Sequence, residues 1–389
     1  MINSLRKTFM GYRRSDGSVG VRNEVAVLAA MDNINPVVRS ICKLAPRALP
    51  ITMIAGRGQF GQDNVQTQRT IIGLGKNPNL AAVLVVSLEP TSAGLLAGAI
   101  AACGKPVRTV TVQECGGSLN TACAGARIAA EMLIDASQQV REECDLSSLM
   151  LAVECGGTDT TSGLAANPIL GMVADQVIEA GGTVLISEVS ELLGAEHILA
   201  ARAVNPKVAK KILDVINNVE AEAKRRGVDI RGANPVPDNI RGGITTLEEK
   251  SLGGMVKAGT KTIMDVLDYA AAPSVPGLYI MDTPAPACES LTGLAAAGCQ
   301  LCVFTTGVGN SIGHPVLPCI KITANPKTVV YFADNIDLSV EKVLRGEESM
   351  TEAAARLYDD MLKVASGKMV RAEVLEQIEN ANTKIQPTV

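Results

Sequence analysis

The sequence predicts an α/β chain of parallel-sheet, Rossmann-like layers in two domains, 1–145 and 146–389. Three observations point there. Short apolar runs alternate with Ala-rich amphipathic stretches, the pattern of strands joined by crossover helices. Aromatic residues make up only 2% of the chain and Trp is absent, so the cores must be built from Ala, Val, Leu and Ile, as in strands buried under helices. A charged stretch, Glu142–Asp145, separates a first unit from a second.

Strands are expected at 25–29, 51–55, 82–88, 107–112, 149–153, 183–187, 278–281 and 301–305, where apolar and β-branched residues run for four to seven positions. Helices are expected at 93–102 and 122–137, which are Ala-rich. Residues 221–243 are polar and carry Gly227, Gly232, Pro235 and Pro237, and read as a long functional loop. After Asp334 the tail is helical and charged. In such a fold a ligand sits beyond the carboxyl ends of the strands.

Composition excludes several classes. Hydrophobic residues at 47% and charged residues at 20% rule out a disordered chain. A net charge of −4 with no basic run argues against nucleic acid, which needs clustered cations and aromatic stacking. No apolar stretch reaches the roughly 18 residues of a membrane span, and the amino terminus has no apolar core of a secretion signal. A cytoplasmic location is therefore expected, and the ten Cys are read as thiols, most of them buried. Cys299 and Cys302 are spaced for a zinc ligand pair, but CQLC lies in an apolar strand-like run, and ordinary burial is preferred.

Polar residues cluster at predicted strand ends. The sequence ECGG occurs twice, at Glu114–Gly117 and Glu154–Gly157, each time between a strand and a helix-forming stretch. Paired glycines there either let backbone N–H groups approach an anion or simply satisfy a tight turn. After the second copy come Asp159, Thr160, Thr161, Ser162 and Asn167, more hydroxyls and amides than a helix cap requires. With Gly156 and Gly157, Ser162 and Asn167 are candidate substrate contacts.

Ser187, Glu188 and Glu191 follow another strand, where a carboxylate serves as base, metal ligand or helix start. Thr245 and Thr246 lie near Lys250, with Lys257 further on, and a lysine among glycines can neutralise a substrate acid. Thr305, Thr306 and Gly307 open a glycine-rich loop that suits carboxylate or sulfonate, and that loop also holds His314 as a possible ligand or donor. Arg22 and Asn23 offer a carboxylate fork, unless Arg22 pairs with Asp16. His197, beside Glu196, is read as a surface residue. The glycine spacing of the loop after Thr305 does not match GxGxxG and no acidic residue closes a βαβ unit there, so nicotinamide chemistry is a weak alternative, and a serine hydrolase is poorly supported.

Taken in order, GYRRSDGSVGVRNE, VECGGTDTTSGLAANPILG, GGTVLISEVSELLGAEHIL, GGITTLEEKSLGG, VPGLYIMDTP and FTTGVGN…PCIKITAN resemble the altronate and galactarate dehydratase family, over about residues 11–325. The resemblance implies a metal-assisted lyase, usually iron-dependent, that eliminates a β-leaving group, water or sulfite, from a small 2-hydroxy acid. Family enzymes often carry a small domain before the GYRR-like segment, so a separate small subunit and an oligomer are implied. Lys250, Glu188 and Asp159 are the expected catalytic groups, and Cys155 and Glu154 the expected ligands of a divalent metal, Fe2+ first. Some family positions differ here. Met31-Asp32-Asn33, Gly58-Gln59-Phe60-Gly61, Ser87-Leu88-Glu89-Pro90 and Pro284-Ala285-Pro286-Ala287 stand where dehydratases tend to have Cys, Gly-Cys, LGC and PGND. These departures point to a changed substrate or metal environment.

Overall fold

The segment LAAVLVVS at Leu80–Ser87 is buried at every position, as befits a strand with both faces covered. It is an inner strand of one of three sheets in the computed structural model, which describes residues 7–385. The strands are β1 (Thr8–Arg13), β2 (Val19–Gly20), β3 (Glu24–Ala29), β4 (Leu49–Ile51), β5 (Leu80–Ser87), β6 (Val107–Thr111) and β7 (Glu142–Asp145). They continue with β8 (Met150–Cys155), β9 (Thr183–Ile186), β10 (Ile263–Leu267), β11 (Leu278–Met281), β12 (Leu301–Thr305), β13 (Cys319–Thr323) and β14 (Leu338–Ser339).

The first unit holds a four-stranded parallel sheet, β4-β3-β5-β6, and the second a seven-stranded parallel sheet, β10-β11-β9-β8-β12-β13-β14. From β8 the chain adds strands on one side, then returns to the other side with β12. The order therefore reverses between β8 and β12, and in open α/β sheets ligands bind at such a reversal.

Alternate residues of a strand face opposite sides, and the large sheet uses both. Leu151, Val153, Val184 and Val303 pack with the helices Asn167–Glu179, Pro206–Arg225 and Met350–Ala365. Ala152, Leu185, Tyr279 and Phe304 point the other way and join Val25, Leu28 and Val83 of the first unit in one continuous core. The helix Gly61–Lys76 crosses the helix Ala287–Ala296 so closely that a Cβ on Gly73 would stand 2.3 Å from the Ala296 carbonyl oxygen.

Two buried asparagines lock the units together. Asn77 Nδ2 donates to the carbonyls of Ala295 (2.7 Å) and Cys299 (2.9 Å). Asn79 Nδ2 donates to those of Gln300 and Val316 (both 2.8 Å), while its Oδ1 accepts from Val21 N (2.8 Å).

Several expectations shift. The strand placed at 51–55 lies at Leu49–Ile51, because the Asn35 side chain takes both the N–H and the carbonyl of Met53 and pulls the chain off the sheet. Glu142–Asp145 is itself a strand, paired antiparallel with β1 from Thr8↔Asp145 to Gly11↔Glu142. Residues 221–243 are less a loop than expected. They contain the end of the helix Pro206–Arg225 and two short helices, Ile230–Ala233 and Pro237–Arg241. Among the described residues no helix is long and apolar enough to cross a membrane.

Replacing Asn79 by Ala strands one N–H and two carbonyls in a dry interface. The expected cost is about 3 kcal/mol, read as a lower urea midpoint.

Candidate active site

The carboxyl ends of β8 and β12 are tied by backbone. Gly156 N donates to Thr305 O (3.0 Å), and Gly307 N and Val308 N donate to Gly157 O (3.0 and 2.9 Å). Gly157 has φ +67, and a Cβ on Gly307 would lie 2.2 Å from Asp159 Cγ, so neither position admits a side chain at ease. The 242 region closes over them: Thr160 N donates to Gly242 O (3.1 Å) and Asn239 Nδ2 to Thr158 O (2.9 Å). Asn167 bridges the layers, accepting from Thr305 Oγ1 (2.6 Å) and donating to Gly253 O (2.7 Å). A pocket of about 570 Å³ opens here, lined by Asp159, Thr160, Thr161, Arg241, Asn325 and Lys327 among others.

Within this set Asp159 organises the loop. Its Oδ1 accepts from Thr161 Oγ1 (2.7 Å), Ser162 N (3.0 Å) and Ser162 Oγ (3.2 Å), and its Oδ2 accepts from Asn325 Nδ2 (2.8 Å). Thr306 Oγ1 accepts from Gly309 N (3.0 Å) and holds the facing turn.

Beneath these loops lies a fully buried charged centre. Lys257 Nζ donates to Glu188 Oε2 (2.7 Å) and to Cys155 Sγ (3.0 Å). Glu188 Oε2 also accepts from Cys155 N (3.0 Å). Glu154 points in from β8, and its Oε2 accepts from Ser187 Oγ and Ser290 Oγ. Its Oε1 is buried without a partner among the described residues.

Burial and then the Glu188 charge push the Glu154 carboxyl well above its ordinary range. Burial alone would lower Lys257, but Cys155, Glu188 and Glu154 outweigh it and hold the ammonium charged. Burial raises Glu188 while Lys257 pulls it down, and the net direction is up. The Cys155 thiol is pushed up to about 12, chiefly by burial and the Glu188 charge. One ammonium thus faces the Glu188 carboxyl, with a second carboxyl and a thiol beside them, both raised by burial.

Glu188 is held in a left-handed backbone, φ 63, which costs a non-glycine residue of order 1 kcal/mol or more and is found where function demands it. Its N–H donates to Thr283 Oγ1 (2.7 Å). Thr283 and Ser190 line a larger cleft of about 1210 Å³ at the ends of β9 and β11, so this hydrogen bond ties the Glu188 backbone to a residue of the cleft wall. A second, partly buried pair stands near it, Lys250 Nζ to Glu191 Oε2 (2.8 Å) and to Asn234 Oδ1 (2.8 Å).

The structure thus gathers Glu154, Cys155, Gly156, Gly157, Asp159, Ser162, Asn167, Glu188, Lys250, Thr305, Thr306 and Gly307 at one end of the large sheet. Others stand apart. Arg22 forks onto Glu373 (2.6 and 2.8 Å) and donates to the carbonyls of Val21, Val364 and Lys368, so its carboxylate is neither a substrate nor Asp16. Asn23 bonds Arg14 and the Ala136 carbonyl. Thr245 is exposed, one residue before the helix cap Thr246, and bound to Glu249 (2.6 Å). His314 is buried, its Nδ1 accepting from Val316 N (3.2 Å), and burial lowers its pKa to about 3. His197 is exposed, as read. In the first ECGG copy Glu114 is exposed and bonded to Thr111, unlike buried Glu154.

The metal expected on Cys155 and Glu154 does not fit their surroundings. A thiol raised to about 12 resists ionisation, and metal ligation needs the thiolate. The cation between Cys155 and Glu188 is the Lys257 ammonium. Among the described residues no group of three or more His, Cys, Asp and Glu side chains is placed to hold a metal. Lys257 is the group missed as a site residue. Its signal is a lone charge in the apolar run around Met255, Val256 and Ala258.

A doubly wound parallel sheet with a charged, strained centre at its carboxyl edge defines a class of α/β enzyme-like protein, and comparison places it within that class. Residues 146–388 match the C-terminal domain of D-galactarate/altronate dehydratase, and residues 11–137 match the second domain of D-galactarate dehydratase/altronate hydrolase. The chain belongs to the galactarate/altronate dehydratase family. It is similar to the (2R)-sulfolactate sulfo-lyase subunit beta of Chromohalobacter salexigens, 40% identical over 97% of this chain and 98% of that one. It is 34% identical to the altronate dehydratase of Bacillus subtilis, covering 94% of this chain and 76% of that one. The galactarate dehydratase (L-threo-forming) of Escherichia coli is 31% identical, over 93% and 73%.

Two measurements follow. Lys257→Met leaves Glu188 buried without its counter-charge, and a loss of about 3–5 kcal/mol is expected in urea unfolding. His314, held neutral when folded, takes a proton below pH about 6.5 once unfolded. Stability therefore falls as pH drops from 6.5 toward 3, by up to about 1.4 kcal/mol per pH unit from this residue. His314→Gln should flatten that part of the pH–stability curve.

Proposed function

We propose that this chain is the large subunit of a lyase that eliminates sulfite from (2R)-3-sulfolactate, working with a separate small subunit. The observation that carries the reading is identity: 40% to the sulfo-lyase subunit beta, against 34% and 31% to the dehydratases. All ten cysteines are free thiols, in keeping with a reducing, cytoplasmic compartment.

The reaction needs a proton taken from C2 and a group expelled from C3. In this reading the Glu188 carboxylate accepts the C2 proton. The freed electron pair forms the C2–C3 double bond, and the C3–S pair departs with sulfite. The enol that remains, 2-hydroxyacrylate, tautomerises to pyruvate. Carbanion character at C2 delocalises into the carboxylate as an enediolate, and a fixed cation in a dry site stabilises such charge strongly. Lys257 supplies that charge. Burial, by raising Glu188, moves it toward the strength of base that neutral pH requires. Sulfite leaves without protonation, so no acid is needed at C3. No step is routed through a metal, since the donor set at Cys155 and Glu154 does not suit one.

The test is the purified pair, this chain with its small subunit, given sulfolactate, altronate or galactarate. Sulfite and pyruvate should appear one for one from sulfolactate. Glu188→Gln should lower kcat by about 10²–10⁴-fold, the range for losing a positioned base. Turnover of altronate or galactarate instead of sulfolactate would make the chain a sugar-acid dehydratase subunit. Full activity in Glu188→Gln removes Glu188 from the chemistry, and silence toward all three acids makes the chain a non-catalytic partner.

A further inference from the structure

Residues 380–385 return from the second unit and lie across the first. Asn380 Nδ2 donates to Thr52 O (2.6 Å), and Ala381 N donates to Thr292 Oγ1 (3.1 Å). Where this segment meets the helix Gly61–Lys76, four oxygen-bearing side chains are buried together. Gln59 Nε2 donates to Asp63 Oδ2 and to Thr67 Oγ1 (both 2.9 Å). Asn382 Nδ2 reaches the same Thr67 Oγ1 (3.4 Å). Ile385 N donates to Asp63 Oδ1 (2.9 Å).

Two features of this cluster are unexplained by the bonds it makes. Asp63 is 3% exposed, and among the described residues it has no ion pair. Gln59 Oε1 and Asn382 Oδ1 are sealed from solvent with no hydrogen-bond partner among the described residues. Each orphaned acceptor costs about 1–3 kcal/mol in a dry site, and a buried carboxylate is ordinarily paired or bound to a cation. Turning the Gln59 amide over does not help, because its nitrogen already serves two acceptors and its oxygen would then face the carboxylate.

We propose that Gln59, Asp63, Thr67 and Asn382 form a binding site for a hard metal cation of the alkali or alkaline-earth class. The donors are one carboxylate and neutral amide and hydroxyl oxygens, the set such ions prefer. No sulfur or imidazole is present, so the site does not select a soft transition metal. The cation satisfies both orphaned oxygens and balances Asp63. In doing so it clamps residues 380–385, of which Thr383, Lys384 and Ile385 wall the 1210 Å³ cleft beside Glu188. Cation binding therefore sets the order of one wall of that cleft. This holds whatever acid the cleft takes.

Trypsin reads the clamp directly. Lys384 is exposed, and the bond after it belongs to the very N–H that Asp63 holds. Cleavage requires that the segment lift from Asp63, so its rate follows the open population. The full chain is stripped with chelator and incubated in choline chloride, or at equal ionic strength in NaCl, KCl, MgCl2 or CaCl2. Loss of residues 385–389 is followed by mass. At a hundredfold excess over Kd, one of these cations should slow that cut about a hundredfold relative to choline. Asp63→Asn and Asn382→Ala should each abolish the protection, and the second keeps the test decisive if the first folds poorly. Equal rates in choline and all four salts, or protection retained in Asn382→Ala, overturn the site and leave the two oxygens to buried water.

Discussion

The buried pair of Lys257 and Glu188 is the constraint around which the second unit is arranged. Two charges taken out of water are tolerated only if geometry and further hydrogen bonds make good the lost hydration. Here those bonds come from Cys155 N on β8 and from Lys257 itself, while Thr283, after β11, holds the Glu188 backbone. Three strands and a helix end must therefore stand in register before the pair is stable. The left-handed turn at Glu188 is held by the same contacts. A charged centre with so many supports is a poor way to gain stability and a good way to fix positions for chemistry.

The sharing of one core between the two units follows from the same economy of surface. The small parallel sheet joins the core of the large one together with the helices Gly61–Lys76 and Ala287–Ala296. Asn77 and Asn79 give direction to an interface that apolar packing alone would leave free to slide. The large cleft lies along this seam, with walls from the helix Gly61–Lys76, from residues 383–385 and from the ends of β10 and β11. Its shape thus depends on how the units meet, and on the segment that crosses between them.

The strands with uninterrupted apolar runs were legible. β11 and β12 lie where expected, and β3, β5, β6, β8 and β9 differ by one or two positions at an end. Three others were not. β7 reads EECD, β13 has the buried Lys321 at its centre, and the edge strand β10 is only half covered. Each is a strand because a neighbour offers a free edge, which no local pattern records. The site shows the same division. The dense polar run after β8 announced itself by composition, whereas Lys257 carried only the weak signal of one charge among apolar neighbours. Arg22 looked like a ligand fork and proved to be the clasp for Glu373.

The sequence by itself determined the fold class, the strand-end loops that converge, and the family, because apolar period, glycine placement and motif order are local properties of the chain. The tertiary structure alone decided which charges meet. Lys257, Glu188 and Cys155 are 69 and 102 positions apart in their two contacts, and whether such groups face each other depends on strand order and burial. That pairing, in turn, sets the Lys257 ammonium between Cys155 and Glu188, a contact that no local pattern in the chain records.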